Sequence, residues 1–313
     1  MSIAFTFPGQ GSQAVGMGKA LADEFAVARA VYEEVDDALG EKLSDIMWNG
    51  PIEDLTLTRN AQPALMAASI AALRVLEEKG LVLADKVSFV AGHSLGEYSA
   101  LAASGALSLS DTARLLRTRG DAMQSAVPVG EGAMAAVLGL TIEQVGEVAE
   151  AAAEGQVCQV ANDNATGQVV ISGAKAAIER AADIAKEKGA KRALLLPVSA
   201  PFHCALMAPA ADVMAEALAG VSINKPVVPL VANVLASPVD DPEAIHTHLV
   251  EQVTGMVRWS ESVAWLVGNG VDCLFEVGTG KVLTGLARRI AKGVATVNVG
   301  EPGDIDAAME KLA

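Results

Sequence analysis

Short apolar runs and stretches of helical periodicity alternate along the first part of the chain. The run at 3–7 ends at Pro8-Gly9, and the run at 87–91 leads through a glycine-rich turn into a helical pattern. Such runs predict buried strands, whereas apolar residues three and four positions apart predict helices. Strands that alternate with helices predict a parallel sheet covered by helices. The predicted elements are strands at 3–7 and 87–91 and helices at 18–39, 62–79, 95–102 and 110–123.

The pattern changes after 128–132, a stretch rich in glycine that marks a boundary. Strand, helix, two strands, helix and strand follow in that order, with a predicted turn at Asn162-Asp163-Asn164 between the middle strands. This βαββαβ order is typical of the ferredoxin-like arrangement. The predicted bounds are 133–140, 141–154, 157–161, 168–172, 174–188 and 192–198.

The main fold is predicted to resume with a helix at 206–218 and to end with a strand-turn-helix unit at 271–290. Together these patterns predict an α/β protein whose hydrolase-like large subdomain contains a parallel sheet and carries an inserted ferredoxin-like βαββαβ small subdomain. We assign 1–126 and 199–313 to the large subdomain and 127–198 to the small subdomain.

Composition narrows the class of protein. Apolar residues make up 51% of the chain and aromatic residues 4%, which predicts a core of Ala, Val and Leu. The net charge of −15 argues against nucleic acid and anionic membranes as partners. The three cysteines have no paired spacing, so neither a disulfide framework nor a zinc site is expected. Because the N-terminus lacks a basic segment and no apolar run reaches about 18 residues, a cytoplasmic protein is expected.

The segment Gly92-His93-Ser94-Leu95-Gly96 is the strongest candidate for catalytic chemistry. It lies between a predicted strand and a predicted helix, where Gly-x-Ser-x-Gly is the signature of a nucleophile elbow. In such a turn the serine hydroxyl projects from a strained backbone, and amides at the start of the helix can hold an oxyanion. The alternative is an ordinary glycine-rich turn with an idle serine.

A nucleophilic serine requires a base, and the chain has four histidines. His203 is the candidate, because it follows the last strand of the small subdomain in a loop that returns to the large one. His93 adjoins the serine with an unsuitable backbone direction for a base, although it can line the pocket. His246 and His248 lack a carboxylate or cysteine at ligand spacing, so no metal site is predicted. Cys204 is a rival nucleophile, but it has no elbow.

Arg119 interrupts an otherwise uncharged face of the predicted helix at 110–123. The residues that share this face are Thr112, Leu115, Ala122 and Met123. A buried guanidinium needs a carboxylate or several carbonyl groups around it. Two interpretations therefore stay open: an internal salt bridge, and a fork that binds a substrate carboxylate through two hydrogen bonds.

Two glycine-rich segments resemble nucleotide-binding motifs but lack the required context. Gly9-Gln10-Gly11-Ser12-Gln13-Ala14 matches the loose dinucleotide pattern, yet Pro8 intervenes and the acidic residues about 20 positions later lie in a helical pattern. Gly278-Thr279-Gly280-Lys281 lacks the earlier glycine of a phosphate loop, and no Ser or Thr follows its lysine. Neither segment predicts a nucleotide cofactor.

Five segments stand in a specific order along the chain. They are Phe7-Pro8-Gly9-Gln10-Gly11-Ser12-Gln13, Gly92-His93-Ser94-Leu95-Gly96-Glu97-Tyr98, Arg117-Thr118-Arg119-Gly120, Ala200-Pro201-Phe202-His203 and Glu276-Val277-Gly278-Thr279-Gly280-Lys281-Val282-Leu283. Together they resemble the malonyl-CoA:acyl-carrier-protein transacylases of bacterial fatty acid synthesis, over essentially the whole chain. The resemblance implies ping-pong transfer of malonyl from malonyl-CoA to the phosphopantetheine thiol of holo acyl carrier protein through a malonyl-serine. Both thiol carriers are substrates, and no cofactor is implied.

The resemblance also assigns roles to single residues. It implies that Ser94 is the acylated nucleophile, that His203 is its base and that Arg119 binds the malonyl carboxylate. It further implies that the backbone N–H groups of Gln10 and Leu95 form the oxyanion hole.

Further positions are expected around this centre. The resemblance implies that the main-chain carbonyl of Gln252 orients His203 and that Phe202 crowds a 2-methyl substituent of the acyl group. His93 is expected to line the pocket. Acyl carrier proteins of this kind are acidic, so a local basic patch should dock them; the candidates are Lys191-Arg192 and Arg288-Arg289 with Lys292.

Two other functions stay open. A serine hydrolase or thioesterase on the same elbow needs water at the acyl-enzyme and usually a carboxylate behind the histidine, and it does not explain Arg119. A module that binds a carrier protein without turnover is the second, and the presence of both Ser94 and His203 speaks against it.

Overall fold

The computed structural model describes residues 2–198 and 200–313. Met1 and Ser199, the residue at which the return to the large subdomain was predicted, lie outside the described residues. The strands of the described part are β1 (Ile3–Phe7), β2 (Phe89–Gly92), β3 (Gly132–Leu138), β4 (Cys158–Ala165), β5 (Gln168–Ala174), β6 (Arg192–Leu195), β7 (Leu230–Ala232), β8 (Ser237–Val239), β9 (Cys273–Val277) and β10 (Ala295–Val299).

The helices lie between these strands, with a 3₁₀ turn at Ala205–Met207. They are α1 (Lys19–Glu24), α2 (Ala26–Leu39), α3 (Leu43–Asn49), α4 (Ile52–Thr56), α5 (Thr58–Glu78), α6 (Leu83–Lys86), α7 (Gly96–Ala103), α8 (Leu109–Ser125), α9 (Ile142–Ala153), α10 (Lys175–Glu187), α11 (Ala208–Ala219), α12 (Pro242–Thr254), α13 (Trp259–Gly268), α14 (Val282–Ile290) and α15 (Pro302–Leu312). Among the described residues, no helix is both long enough and apolar enough to cross a membrane.

The large sheet has the strand order β10-β9-β1-β2-β7-β8 across the described residues. Its neighbouring strands run parallel except for β7 and β8, which pair antiparallel at one edge. Every residue of β1 is buried, as expected for a central strand covered by helices on both faces. The predicted hydrolase-like α/β large subdomain is therefore confirmed, with the addition of an antiparallel edge strand.

The small sheet has the strand order β4-β5-β3-β6, and its pairs are antiparallel. With α9 and α10 between the strands, it has the predicted ferredoxin-like βαββαβ arrangement. It has a hydrophobic core of its own, to which residues of both helices contribute. Its strands lie between Gly132 and Leu195, inside the predicted 127–198. The boundaries of the two subdomains stay a prediction.

The predicted turn at Asn162-Asp163-Asn164 is wrong. These residues belong to β4, and the turn lies at Thr166-Gly167, where Gly167 has a φ of 71°. The reason is tertiary: β4 pairs irregularly with β5, and the Asp163 N–H donates to the Val257 carbonyl at 3.0 Å. Contact with the large subdomain therefore overrides the local turn preference of Asn and Asp.

Two other predicted elements differ from the structure. The single helix predicted at 18–39 is divided into α1 and α2, because Phe25 adopts an extended conformation with φ −117° and ψ 121°. The unit at 271–290 is not the last one, since β10 and α15 follow it. β10 is an edge strand that keeps much of its surface exposed, so its sequence lacks a strong apolar pattern.

The register of β1 and β2 determines where the loops that follow them meet. Phe7 lies opposite Gly92, so both strands end at the same level of the sheet. The segment after β1 and the turn after β2 are therefore neighbours at the carboxyl edge, where ligands bind in open α/β sheets.

Candidate active site

Ser94 occupies a strained turn between β2 and α7, with a left-handed φ of 53°. Two glycines permit this turn. A Cβ added to Gly92 would lie 1.9 Å from the backbone carbonyl of Gly96, and one added to Gly96 would lie 2.2 Å from the Phe7 carbonyl oxygen. The close approach of helix and strand explains both glycines of the motif, and the turn has the form of a nucleophile elbow.

Asn233 holds the turn from the side of β7. Its Oδ1 accepts from the Ser94 backbone N–H at 2.7 Å, and its Nδ2 donates to the Gly92 carbonyl at 2.6 Å. Asn233 is 1% exposed, so both hydrogen bonds are protected from water. These contacts offset the cost of the left-handed backbone at Ser94.

His203 is buried and its backbone is also left-handed, with a φ of 58°. Its Nδ1 lies 2.9 Å from the Gln252 carbonyl oxygen and 3.1 Å from that of Gly255. Since carbonyl oxygens only accept, Nδ1 carries the proton and Nε2 is free to accept. Nε2 lies 2.8 Å from Ser94 Oγ, so the serine hydroxyl donates to the imidazole.

The electrostatic environment keeps His203 neutral. Burial lowers its pKa to about 3, and the positive charge of Arg119 contributes in the same direction. The hydrogen bonds to two backbone carbonyls oppose this shift only in part. The low pKa and the protonated Nδ1 describe a neutral imidazole whose unprotonated Nε2 faces Ser94 Oγ.

Arg119 lies on α8 and is 1% exposed. Its Nη1 donates to Gln62 Oε1 at 2.7 Å, and its Nη2 donates to Gln252 Oε1 at 2.8 Å and to Ser94 Oγ at 3.1 Å. No carboxylate oxygen of the described residues lies within 4.0 Å of its nitrogens, as the alternative of a direct internal salt bridge would require. The guanidinium is held by neutral oxygens next to the serine hydroxyl.

A cavity of about 350 Å³ opens above this group. Gln10, Ser94, Leu95, Arg119 and His203 all line it. Within the described part of the chain, the backbone N–H groups of Gln10 and Leu95 donate to no other residue. Leu95 directly precedes α7, so its N–H lies at the positive end of the helix dipole. These two amides are available for an oxyanion.

His93 and Phe202 also line the cavity. The Nε2 of His93 hydrogen-bonds to Asn164 Oδ1 of the small subdomain at 2.8 Å, and its ring packs against Trp259 with a centroid distance of 5.7 Å. Burial lowers the pKa of His93, which keeps it uncharged. His93 is therefore held away from Ser94 Oγ by its own partner.

The remaining sequence candidates lie apart from this centre. Cys204 is fully buried, its Sγ donates to the Pro201 carbonyl, and burial raises its pKa, so it stays a thiol. His248 pairs with Glu251 on α12, the helix that also carries His246. Among residues 2–198 and 200–313, no cluster of three His, Cys, Asp or Glu side chains is arranged to hold a metal ion.

Sequence reasoning missed three polar residues of the site. Gln62 and Asn233 contact Arg119 and the Ser94 backbone, and Glu97 accepts from the Gln252 Nε2 at 2.7 Å. Glu97 stands directly after the Gly-x-Ser-x-Gly motif, and its acidic charge on an otherwise uncharged predicted helix was an available signal. Gln62 and Asn233 had no comparable signal, because their partners are distant in the sequence.

Residues 4–298 match the acyl transferase domain family. The chain is 46% identical over 311 residues to the malonyl CoA-acyl carrier protein transacylase of Bacillus subtilis (strain 168), which covers 99% of this chain and 97% of the relative.

Two solved structures are also similar. The acyl-carrier-protein-S-malonyltransferase from Bartonella henselae superposes with a TM-score of 0.98 at 61% identity, covering 100% of this chain and 99% of that chain. A malonyl-transacylase in complex with its type II PKS acyl-carrier protein gives a TM-score of 0.96 at 44% identity, covering 99% of this chain and 100% of that chain.

The low pKa of His203 predicts how the reactivity of Ser94 depends on pH. A lowered pKa means that the neutral, proton-accepting imidazole persists as the pH falls. The rate at which a neutral sulfonyl fluoride modifies Ser94 should change less than about twofold between pH 6 and pH 5, whereas a histidine with an ordinary pKa of about 6.5 gives a roughly eightfold decrease. Adduct formation is followed by intact mass, with Ser94→Ala as the unreactive control. An eightfold decrease would contradict the neutral imidazole.

Proposed function

The chain belongs to the acyl transferase domain family and, within it, to the malonyl CoA-acyl carrier protein transacylases, and on this basis we propose that it transfers malonyl from malonyl-CoA to the phosphopantetheine thiol of holo acyl carrier protein by a ping-pong mechanism. It is an acyltransferase, with both thiol carriers as substrates. The cytoplasmic location expected from the sequence is part of this proposal.

One observation carries the proposal: a base and a cation converge on one hydroxyl. Ser94 Oγ lies 2.8 Å from His203 Nε2 and 3.1 Å from Arg119 Nη2. Only the first contact is needed to activate a serine. The second contact places beside the serine a guanidinium, a group that can donate two hydrogen bonds to the carboxylate of an acyl group.

In the first half-reaction, the Ser94 hydroxyl transfers its proton to His203 Nε2 as Oγ bonds to the malonyl carbonyl carbon. The negative oxygen of the tetrahedral intermediate accepts from the N–H groups of Gln10 and Leu95. The carbon–sulfur bond then breaks, and the CoA sulfur takes the proton from His203. Arg119 holds the malonyl carboxylate, which orients the thioester toward the serine.

The second half-reaction reverses these steps with a different thiol. His203 accepts the proton of the phosphopantetheine thiol, whose sulfur attacks the malonyl-serine ester. The carbon–oxygen bond to Ser94 breaks, and the proton returns from His203 to Oγ. In this proposal, the Gln252 carbonyl holds the imidazole in the required tautomer, and Phe202 at the cavity wall crowds a 2-methyl substituent.

The hydrolase alternative is less well supported by the same geometry. In the described residues, the partners of His203 Nδ1 are two backbone carbonyls, without the carboxylate usual in serine hydrolases. Hydrolysis of an acyl-serine also does not require a guanidinium next to the nucleophile. The alternative of a binding module without turnover does not require the contact between Ser94 and His203.

Intact mass distinguishes these functions. Mixing the protein with malonyl-CoA should add one malonyl group on Ser94, and adding holo acyl carrier protein should move that group to the carrier. Loss of the adduct to water at the same rate with and without carrier would instead establish a hydrolase. No adduct would contradict the proposed transfer.

Arg119 should determine the preference for charged acyl groups. The variant Arg119→Ala should lose at least about tenfold in kcat/KM with malonyl-CoA relative to acetyl-CoA, because a charge-assisted bidentate contact contributes on the order of 1.5–3 kcal/mol. Arg117→Ala is the matched control, since Arg117 lies on the same helix but pairs with Glu41 and Asn60. Equal losses with both donors would refute a carboxylate-specific role.

Carrier docking should depend on one basic surface that joins the two predicted patches. Leu138 pairs with both Arg192 and Gln168, and Gln168 Oε1 accepts from Arg289 at 2.5 Å. Lys191, Arg192, Arg288, Arg289 and Lys292 are all exposed, and none of them forms an ion pair with another described residue. Unpaired cations on both subdomains therefore offer a continuous surface to an acidic carrier.

Reversing the charge of this surface tests the docking proposal. The double variant Arg192→Glu with Arg289→Glu should raise the KM for carrier protein several-fold, on the order of 1 kcal/mol, and leave the KM for malonyl-CoA unchanged. Lys225→Glu is the control, because Lys225 is exposed but already pairs with Asp240. If both constants moved, or neither did, the surface would not be the docking site.

A further inference from the structure

Glu97 is a buried carboxylate that the mechanism above does not use. It is 1% exposed and lies in the first turn of α7. Its Oε2 accepts from Gln252 Nε2 at 2.7 Å and from the Asn233 backbone N–H at 3.2 Å, while its Oε1 has no hydrogen-bond partner in the described part of the chain. A carboxylate held in this way needs a nearby cation or a proton.

The cation is Arg119, and Gln252 connects the two charges. The Gln252 side chain donates to Glu97 through Nε2 and accepts from Arg119 Nη2 through Oε1 at 2.8 Å. Arg119 lines the cavity, whereas Gln252 and Glu97 lie outside its lining. Glu97 therefore stands behind Arg119, on the side away from the bound acyl group.

Other ionisable groups do not share this role. Tyr98, on the same helix, is fully buried and its pKa is raised, so it stays protonated. The strands packed against α7, which are β1, β2 and β7, carry no ionisable residues. Apart from Arg119, the ionisable side chains of α5, α8 and α12 are exposed or partly exposed. His203 has a pKa of about 3 and is neutral.

An acyl group that carries a carboxylate brings a second anion to this single buried cation. Arg119 cannot neutralise two carboxylates, and a net negative charge without water is costly. We propose that a carboxylate-bearing acyl group binds Arg119 together with one proton, which is taken up by Glu97. This inference rests on the proposed function, since it requires a malonyl group at Arg119.

The electrostatics of Glu97 support this coupling. Burial raises the pKa of Glu97 to about 7, the hydrogen bonds from Gln252 and Asn233 lower it in part, and the positive charge of Arg119 lowers it less. A second carboxylate on Arg119 repels the Glu97 charge and raises this pKa further, so that Glu97 is neutral in the malonyl-enzyme. At pH 8, Glu97 of the free protein is about nine-tenths ionised, and malonylation should therefore take up about one proton.

The test counts protons for each malonyl group transferred to the protein. Wild-type protein and Glu97→Gln are mixed with malonyl-CoA at pH 8 in weak buffer with an indicator dye, and the adduct is measured by intact mass. Glutamine keeps an oxygen for both donors but cannot titrate. Since both proteins release the same CoA thiol, the wild type should take up about one proton more per adduct than the variant. Glu276→Gln is the matched control, because Glu276 is also a buried carboxylate with a raised pKa.

A comparison of two acyl donors on the wild-type protein does not depend on whether Glu97→Gln folds correctly. Wild-type protein should take up about one proton more for each malonyl adduct formed from malonyl-CoA than for each acetyl adduct formed from acetyl-CoA, because the acetyl group carries no carboxylate. Equal proton counts for the two donors, or the same uptake in Glu97→Gln as in wild type, would overturn the inference and leave the transferase function standing. Absence of any malonyl adduct on the wild type would overturn the proposed function itself.

Discussion

The site depends on how closely α7 approaches the sheet. Gly96 has no room for a side-chain carbon against the Phe7 carbonyl, and Gly92 has none against Gly96. Because β1 and β2 end at the same level, this contact brings the loop after β1 beside the first turn of the helix. Any bulk at the contact would lift the helix from the sheet. The left-handed serine backbone and the two free amides beside it both depend on this one approach.

The site depends secondly on Arg119, a buried cation whose side-chain hydrogen-bond partners are neutral. Gln62 and Gln252 give Arg119 two amide oxygens, which orient the guanidinium without cancelling its charge. A carboxylate directly paired with Arg119 would compete with the substrate for the same donors. Glu97, one residue further away, reduces the cost of burying the cation and leaves its cavity face available. Because Glu97 is not in direct contact with Arg119, it can stabilise the buried charge without occupying the N–H groups that face the cavity.

Features that follow from local sequence patterns could be predicted, whereas fewer of the features that depend on contacts between distant residues could be. The elbow and the βαββαβ order follow from glycine placement and hydrophobic period, and both could be predicted. The turn at Asn162-Asp163-Asn164 was predicted wrongly because pairing with Val257, far away in the chain, keeps these residues in a strand. Asn233 and Gln62 could not be found for the same reason, since no local pattern distinguishes a buried amide that completes a site from one in a loop. The resemblance to a family supplied Gln252, which carries no local signal.

The hydrogen-bond partners of His203 Nδ1 in the described residues are backbone carbonyls, which determines how strong a base it is. The two carbonyls behind His203 determine its tautomer but stabilise a developing imidazolium less than an aspartate would, and Arg119 opposes that charge directly. The base is therefore weak in the free site. When an acyl carboxylate pairs with Arg119, that opposition falls and the pKa of His203 rises. In the proposed reaction, activation of Ser94 should therefore increase when the acyl group carries a carboxylate. Arg119 would then contribute to selectivity twice, once by binding the carboxylate and once because its charge no longer lowers the pKa of His203 as strongly.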